Sequence, residues 1–485
     1  MSSSARSLVS ALLVVSPALA GGADLSPHVR GFVRVAAPRV ALTHVRVIDG
    51  TGAAPAEDQT VVVADGKIAA IGSAASVKVP EGAEVLALAG YTVIPGLVGM
   101  HNHLYDTAWR NVDDDGKLLP PGFMVTQIAF SAPRLYLGAG VTTLRTTGNI
   151  EGYTDLEVKR SIDAGRSPGP DIDATAPYLE GPGSIFPQMH QLKDGDDARE
   201  MVAFWARRGA TSFKAYMNVT RAQLGAAIEA AHALGLKVTG HLCSVTWREA
   251  IALGIDDLEH GPVFSATDFQ KDKQPDQCPG SGTSAWSELG VDAPEVQSLI
   301  RELVARNVAV TSTLPVFDAS TLDEAPSPRV LQAMAPTQRQ SFLTARARVT
   351  PQASARTSAL VKKEMEFERA FVKAGGLLLA GPDPTGNGGT LPGFGDWRGL
   401  QLLVKAGFTP VEAIRIASAN GARFLGRSDR IGSVEAGKDA DLVVVKGNPA
   451  AEGFDLGGVE LVFKKGVGYD SRKLIDSVAG TVGVR

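Results

Sequence analysis

The chain has 485 residues, 44% of them hydrophobic, a net charge of −4 and no block of basic residues. That is enough apolar material for one large core and a smaller domain. The lack of a basic tract argues against nucleic acid as a partner, and no repeat or low-complexity tract points to a solenoid or fibre.

The first twenty residues stand apart. Arg6 is the only early charge, Leu8 to Ala18 is apolar apart from Ser10, Ser16 and Pro17, and Ala18-Leu19-Ala20 precedes Gly21. A short apolar run closed by a small-X-small site is the pattern of a secretory signal peptide. The run is too short to span a bilayer stably, and no other stretch is long and apolar enough to do so. The expectation is a periplasmic or secreted protein that starts near Gly21 and has no membrane span when mature. The two cysteines, Cys243 and Cys278, could pair in an oxidising compartment. Two cysteines do not make a framework, and independent thiols are the favoured expectation.

From Val40 to Leu88 the pattern is β. Thr60-Val61-Val62-Val63 and Lys67-Ile68-Ala69-Ala70-Ile71 flank Ala64-Asp65-Gly66, a hairpin signal. Ala440 to Val445 and Val459 to Phe463 also read as strands. The two chain ends are expected to pair into one small β-sandwich beside a central domain, with His44 as a structural residue. Between them strands alternate with helices such as Leu224 to Leu234 and Ala293 to Arg306. Candidate strands end near His103, Thr146, Tyr178, Met217, Ser244, Gly261, Val316 and Asp383. Such alternation suggests an α/β fold, a (β/α)8 TIM barrel with its site at the strand ends. The expected division is a signal peptide over 1–20, sandwich strands over 21–90, the barrel over 91–425 and the rest of the sandwich over 426–485.

The unusual residues fall at those ends. His101 and His103 lie two apart at the end of an apolar strand, so both imidazoles share one face. Two such histidines can open a zinc site, or they can be idle turn residues. Lys214 sits in the apolar run Thr211 to Met217, where it must be neutral, paired or chemically modified. The fifth strand ends on His241, the sixth on His260, and the eighth on Asp383 after Gly381-Pro382. Each has a bland alternative, but their occurrence at strands one, four, five, six and eight is a specific pattern.

These motifs resemble the amidohydrolase superfamily, close to its imidazolonepropionase-like and prolidase-like branch. His101-Asn102-His103 is similar to its first-strand motif and Gly140-Val141-Thr142-Thr143-Leu144-Arg145 to its second. Phe213-Lys214, Gly240-His241, Leu258-Glu259-His260-Gly261 and Gly381-Pro382-Asp383 follow. Thr409-Pro410-Val411-Glu412-Ala413 matches the last barrel helix and also reads as a capping box. The return to the sandwich is matched by Ile431 to Val434 and Gly437 to Leu442. The chain departs from the family pattern at Val98-Gly99, Thr146 and Pro382, none of them a ligand position.

The resemblance implies a metal-dependent hydrolase with two divalent ions, zinc fitting best and manganese, cobalt or iron also fitting. Lys214 would react with carbon dioxide to form a bridging carbamate. His101, His103, Lys214 and Asp383 would hold one ion, and Lys214, His241 and His260 the other. A bridging hydroxide, with a pKa lowered to about 7 or below, would attack, and Asp383 would act as general acid and base. Tyr216 shares the face of Lys214 and could bind a substrate carboxylate or the oxyanion, with Arg145 and Tyr178 as further substrate-binding candidates. His190 could reach the site from a loop, and His232 reads as structural. The long segments Leu104 to Met124, Phe264 to Asp292 and Gly386 to Trp397 are candidate lids or specificity loops. The expected substrate is a small amide with a free carboxylate, such as a dipeptide or N-acyl amino acid. Alternatives are a lactone, ester or phosphotriester hydrolase, a deaminase, or a metal-free scaffold. Association into a homo-oligomer is compatible with the sequence.

Overall fold

The structure is a computed structural model and describes residues 25–108, 124–279, 283–385 and 389–483. The expected signal peptide, Trp109, Arg110 and Asp113 to Asp115 lie outside the described residues. The architecture is mixed α/β. The centre holds two parallel sheets, one of β1 (Leu97–Asn102), β2 (Val141–Thr146) and β3 (Asp171–Ala174), the other of β4 (Ser212–Ala215), β5 (Lys237–Gly240), β6 (Asp257–Glu259), β7 (Ala309–Ser312) and β8 (Leu378–Ala380). Parallel bridges Thr175–Ser212 and Leu179–Ala215 join the chain after β3 to β4. At the far edge the Asp383 amide donates to the His101 carbonyl at 3.0 Å, so the chain leaving β8 runs against β1.

Strands covered on both faces need no alternation of apolar and polar residues. β1 and β2 are buried at every position. Parallel neighbours require crossovers, and helices supply them. The two helices expected from the sequence span Arg221–His232 and Pro294–Ala305. The first opens on a Thr220–Gln223 capping box, and the expected Thr409–Glu412 box is also formed, with Pro410 in the first turn. Three strand ends fall four residues short of expectation, the fifth stopping at Gly240 rather than near Ser244. The seventh strand stops at Ser312 rather than near Val316, because Pro315 sits in the first turn of a short helix, Leu314–Asp318. The third stops at Ala174 rather than near Tyr178, and isolated bridges at Thr175, Pro177 and Leu179 continue it.

The chain ends share one nine-stranded sheet. Tyr91–Pro95 pairs antiparallel with Leu442–Lys446, which lies next to Val459–Lys464. On the other side lie Arg39–Val47, Ala56–Ala64 and Lys67–Ser73. The expected hairpin is present, and both Asp65 and Gly66 have positive φ, as a type I′ turn requires. Val40, Leu42, Val61, Val93, Leu442, Val444 and Phe463 from both ends form one apolar core. His44 is exposed at a register shift and pairs with Asp58.

The expectation of independent thiols is corrected. Cys243 and Cys278 form a disulfide with a Cα–Cα separation of 4.8 Å. The loop after β6 is brought back over the end of β5 by other bonds as well. Asp268 accepts from the Trp247 and Arg248 amides, and the Thr267 hydroxyl donates to the Cys243 carbonyl. Among the described residues no helix is long and apolar enough to cross a membrane.

Two details bear on stability. A Cβ on Gly381 would lie 2.2 Å from the His101 backbone nitrogen, so β8 can approach β1 only with glycine there. Gly381→Ala should therefore cost about 1–3 kcal/mol as overpacking, read as a lower thermal midpoint. A midpoint equal to that of the parent would show that the two strands can separate freely. The second detail is on helix Pro351–Lys373, where Glu364 and Glu368 are both buried. Glu364 accepts from the Val263 amide at 3.0 Å, just after β6. Burial pushes the Glu368 carboxyl up to about 8. The unfolded chain ionises this group from about pH 4.5, so the folded state loses relative stability as pH rises from there to about 8. Glu368→Gln should remove that loss and raise the thermal midpoint more at pH 9 than at pH 5. An equal shift at both would show that Glu368 does not titrate abnormally.

Candidate metal centre

The side chains singled out by the sequence meet where the parallel strands end. His101 closes β1 on the same face as His103, and both rings are buried. The Nε2 atoms of His101 and His103 lie 3.4 and 3.2 Å from Asp383 Oδ1. Each Nδ1 is turned away and occupied. That of His103 faces the Gly148 carbonyl at 3.1 Å, and that of His101 faces Glu259 at 2.7 Å. A carbonyl and a carboxylate only accept, so in both rings Nδ1 carries a hydrogen, and Nε2 is the atom turned towards Asp383. His260 follows β6, with its Nδ1 2.8 Å from the Thr313 hydroxyl. The His241 ring lies 4.3 Å from that of His260 and 5.2 Å from that of Tyr216, centroid to centroid.

Ligand atoms of His101, His260 and Asp383 all lie within 4.8 Å of one another, a group that could hold a metal ion. His260 and Asp383 both have positive φ, 72° and 50°. Non-glycine residues rarely adopt that region, and when they do the strain often marks a functional site. The electrostatics suit a cation. Burial, with the Lys214 charge second, lowers His241 to about 3. Burial also lowers His103, and burial with the neighbouring rings holds His260 well below the imidazole range. Burial alone would raise the Asp383 carboxyl, but His101, His103 and His260 hold it well below the carboxylate range. For His103, His241 and His260 the bias towards the neutral imidazole, beside an ionised carboxylate, matches the protonation states that a divalent ion requires, so the donor set fits such an ion.

Lys214 lies fully buried in β4, with Nζ 3.6 Å from Glu259 Oε1. Burial lowers its pKa against the pull of Glu259, which favours the uncharged, nucleophilic amine. Tyr216 is half-buried beside His241, and its hydroxyl has no hydrogen-bond partner among the described residues. The Tyr178 hydroxyl is 2.7 Å from that of Tyr105, and the Tyr178 ring packs on Tyr216 at 4.7 Å. His190 is exposed and paired with Asp197, and His232 is paired with Asp256. Neither joins the cluster.

The expectation that Arg145 binds substrate is corrected. Its guanidinium is fully buried and donates to the Met100 carbonyl and, at 2.6 Å, to Glu259. It takes the Glu259 oxygen that His101 does not, so its charge is met inside the fold. Glu259 itself, a side chain at the heart of the site, received no role from the sequence. Asp257 and Glu259 sit two apart on a strand buried throughout, and two carboxylates on one face of such a strand were the available signal.

The Amidohydrolase family profile matches residues 92–467. A search of curated proteins finds no match. Among solved structures, a candidate prolidase from Bifidobacterium longum is 25% identical, with a TM-score of 0.64 over 91% of this chain and 98% of that one. A Xaa-Pro dipeptidase with bound methionine is 18% identical, with a TM-score of 0.64 over 89% of this chain and 100% of that one. Bottromycin amidohydrolase is 23% identical, with a TM-score of 0.67 over 93% of this chain and 94% of that one. The match over residues 92–467, together with the buried histidines and aspartate at the strand ends, establishes that the chain belongs to the amidohydrolase family and is a hydrolase.

Proposed function

We propose that the protein is a secreted binuclear hydrolase that cleaves an amide bond in small carboxylate-bearing substrates such as dipeptides or N-acyl amino acids. One observation carries the reading. His101, His103, Lys214, His241, His260 and Asp383 come from five different strand ends, and their charges act on one another within one buried cluster. In this reading the two parallel sheets close as one eight-stranded barrel over 91–425. The pairing of 21–90 with 426–485 forms a sandwich around the shared apolar core. The signal-peptide pattern over 1–20 and the Cys243–Cys278 bond support an oxidising, extracytoplasmic location.

His101, His103, Asp383 and a carbamate on Lys214 would hold one ion, and the carbamate, His241 and His260 the other. Zinc suits nitrogen and oxygen donors of this kind. Bound ions would supply Lewis-acid polarisation of the scissile carbonyl and a water nucleophile at neutral pH. The chain's own residues do the rest. Asp383 takes the proton of the attacking water and delivers it to the leaving nitrogen, so that an amine rather than an amide anion departs. The unpartnered Tyr216 hydroxyl donates to the substrate carboxylate or the developing oxyanion. Tyr178, fixed through Tyr105, packs the Tyr216 ring in place. The dipeptidase and amidohydrolase named above, whose folds this chain shares, support an amide rather than an ester.

Protein prepared with zinc and bicarbonate should contain close to two ions per chain by elemental analysis. Lys214→Ala should lose ions and most activity, and Lys214→Arg should not rescue, because a guanidinium forms no carbamate. A Lys214→Ala variant with the parental ion content and rate would reduce the lysine to a structural residue.

Asp383→Asn should lower turnover by at least about 10²-fold, the scale of lost general acid–base catalysis, while the fold is retained. Dipeptides, N-acyl amino acids, lactones, phosphotriesters and deaminase substrates should be compared with the zinc-loaded enzyme. Efficient lactone or phosphotriester turnover without amide cleavage, or ammonia release from a ring substrate, would overturn the assignment.

A further inference from the structure

The two histidines of β1 are oriented by different means. His103 is held by a backbone carbonyl, that of Gly148. His101 is held by a side chain, Glu259, which is itself held. One Glu259 oxygen takes His101 Nδ1 at 2.7 Å, and the other takes Arg145 at 2.6 Å. Arg145 also reaches the carbonyl of Met100, the residue before His101, through Nε and Nη2 at 3.1 and 2.9 Å. One guanidinium therefore fixes the backbone that carries His101 and the carboxylate that orients its ring. Lys214 approaches the same Glu259 oxygen only to 3.6 Å, beyond hydrogen-bond range, so Arg145 is the cation that fixes the carboxylate. Asp257 lies 3.4 Å from Arg145 and is occupied by the Thr311 hydroxyl at 2.8 Å.

We propose that Arg145 and Glu259 are a positioning pair for His101. The carboxylate holds the hydrogen on Nδ1 and turns Nε2 towards Asp383, the side on which an ion would sit, and the guanidinium keeps the carboxylate in register. This rests on the metal-centre reading of the same site. Outer partners of this kind set ring orientation and ligand basicity, and their loss typically costs 10- to 100-fold in metal affinity.

A pair that served only stability would behave differently from a positioning pair. Replacing a buried ion pair with apolar groups of similar volume is often neutral or stabilising. The decisive variant is therefore the full-length chain with Arg145→Met and Glu259→Leu together. Two properties are measured beside the thermal midpoint. One is zinc affinity, by competition with a chelator. The other is the His101 tautomer in metal-free protein, by long-range proton–nitrogen NMR, which eight histidines in the chain keep sparse. Expected are a midpoint near or above that of the parent, zinc binding 10- to 100-fold weaker, and a mixture of His101 tautomers. Arg145→Met with Glu259→Gln should recover only part of the affinity, since the amide oxygen can still accept from Nδ1–H but no guanidinium holds it in register. Zinc affinity within twofold of the parent in the apolar pair overturns the proposal. Should the parent bind no zinc, the metal-centre reading falls, and the tautomer decides alone: an unchanged His101 tautomer in the apolar pair overturns the positioning role. Should the apolar pair not fold, Glu259→Gln alone carries the test, because its single amide oxygen cannot serve both His101 and Arg145. Parental affinity and tautomer in that variant also overturn the proposal.

Discussion

Charge buried at the strand ends has to be met there. Each unpaired ion in such a place costs several kcal/mol even after relaxation. Arg145, Lys214, Asp257, Glu259 and Asp383 are all buried within a few residues of the parallel strand termini. The cluster has a workable solution because the opposite charges interleave. Glu259 lies between Arg145, Lys214 and His101, and Asp383 faces three imidazoles. Burial on its own would push both carboxyls up, and the surrounding groups push them well down. That leaves three imidazoles, those of His103, His241 and His260, biased towards their neutral form beside a firm carboxylate, the condition in which a cation is welcome.

The motif-bearing residues were legible in the sequence because strand periodicity and a strand's end place a side chain without knowledge of the rest of the fold. His101 and His103 share a face by the pleat alone, and His241, His260 and Asp383 each close an apolar run. Arg145 was misassigned because a position near a strand end does not tell which way a long side chain turns. In the structure it turns inwards to Glu259, which together with Asp257 offsets the cost of burying its charge. The disulfide was not legible for a similar reason. Whether Cys278 reaches Cys243 depends on the path of a long loop, and that path is set by contacts such as Asp268 at the start of helix Trp247–Leu253. The seventh strand was read too long because Val316 continues the apolar run, although Pro315 begins a helix there.

Rigid and adaptable parts are separated in this site. His101, His103 and His260 sit on or directly after strands buried throughout, with ring nitrogens tied to a carboxylate, a backbone carbonyl and a hydroxyl. The aromatic side of the site is built differently. Tyr105, Tyr178, Met189, Phe186 and Tyr216 form a small apolar cluster of their own, contributed largely by segments beyond the strand ends. A family can keep the first part and exchange the second, which is how one metal arrangement serves many substrates.

The shared sheet has a consequence for how the molecule is made. Leu442–Lys446 fills the place between Tyr91–Pro95 and Val459–Lys464, and the Gly96 amide, directly before β1, donates to the Asp441 carbonyl at 2.8 Å. The bond from Gly96, just before the strand that carries His101, therefore forms only after the C-terminal strands exist. Until then one side of Tyr91–Pro95 is an open edge, the kind of surface that recruits foreign strands. Pairing across nearly the whole chain is also slow to find. A nascent chain thus carries this open edge until synthesis is almost complete, and a chain cut short before Leu442 would lack the Gly96–Asp441 bond and keep the edge.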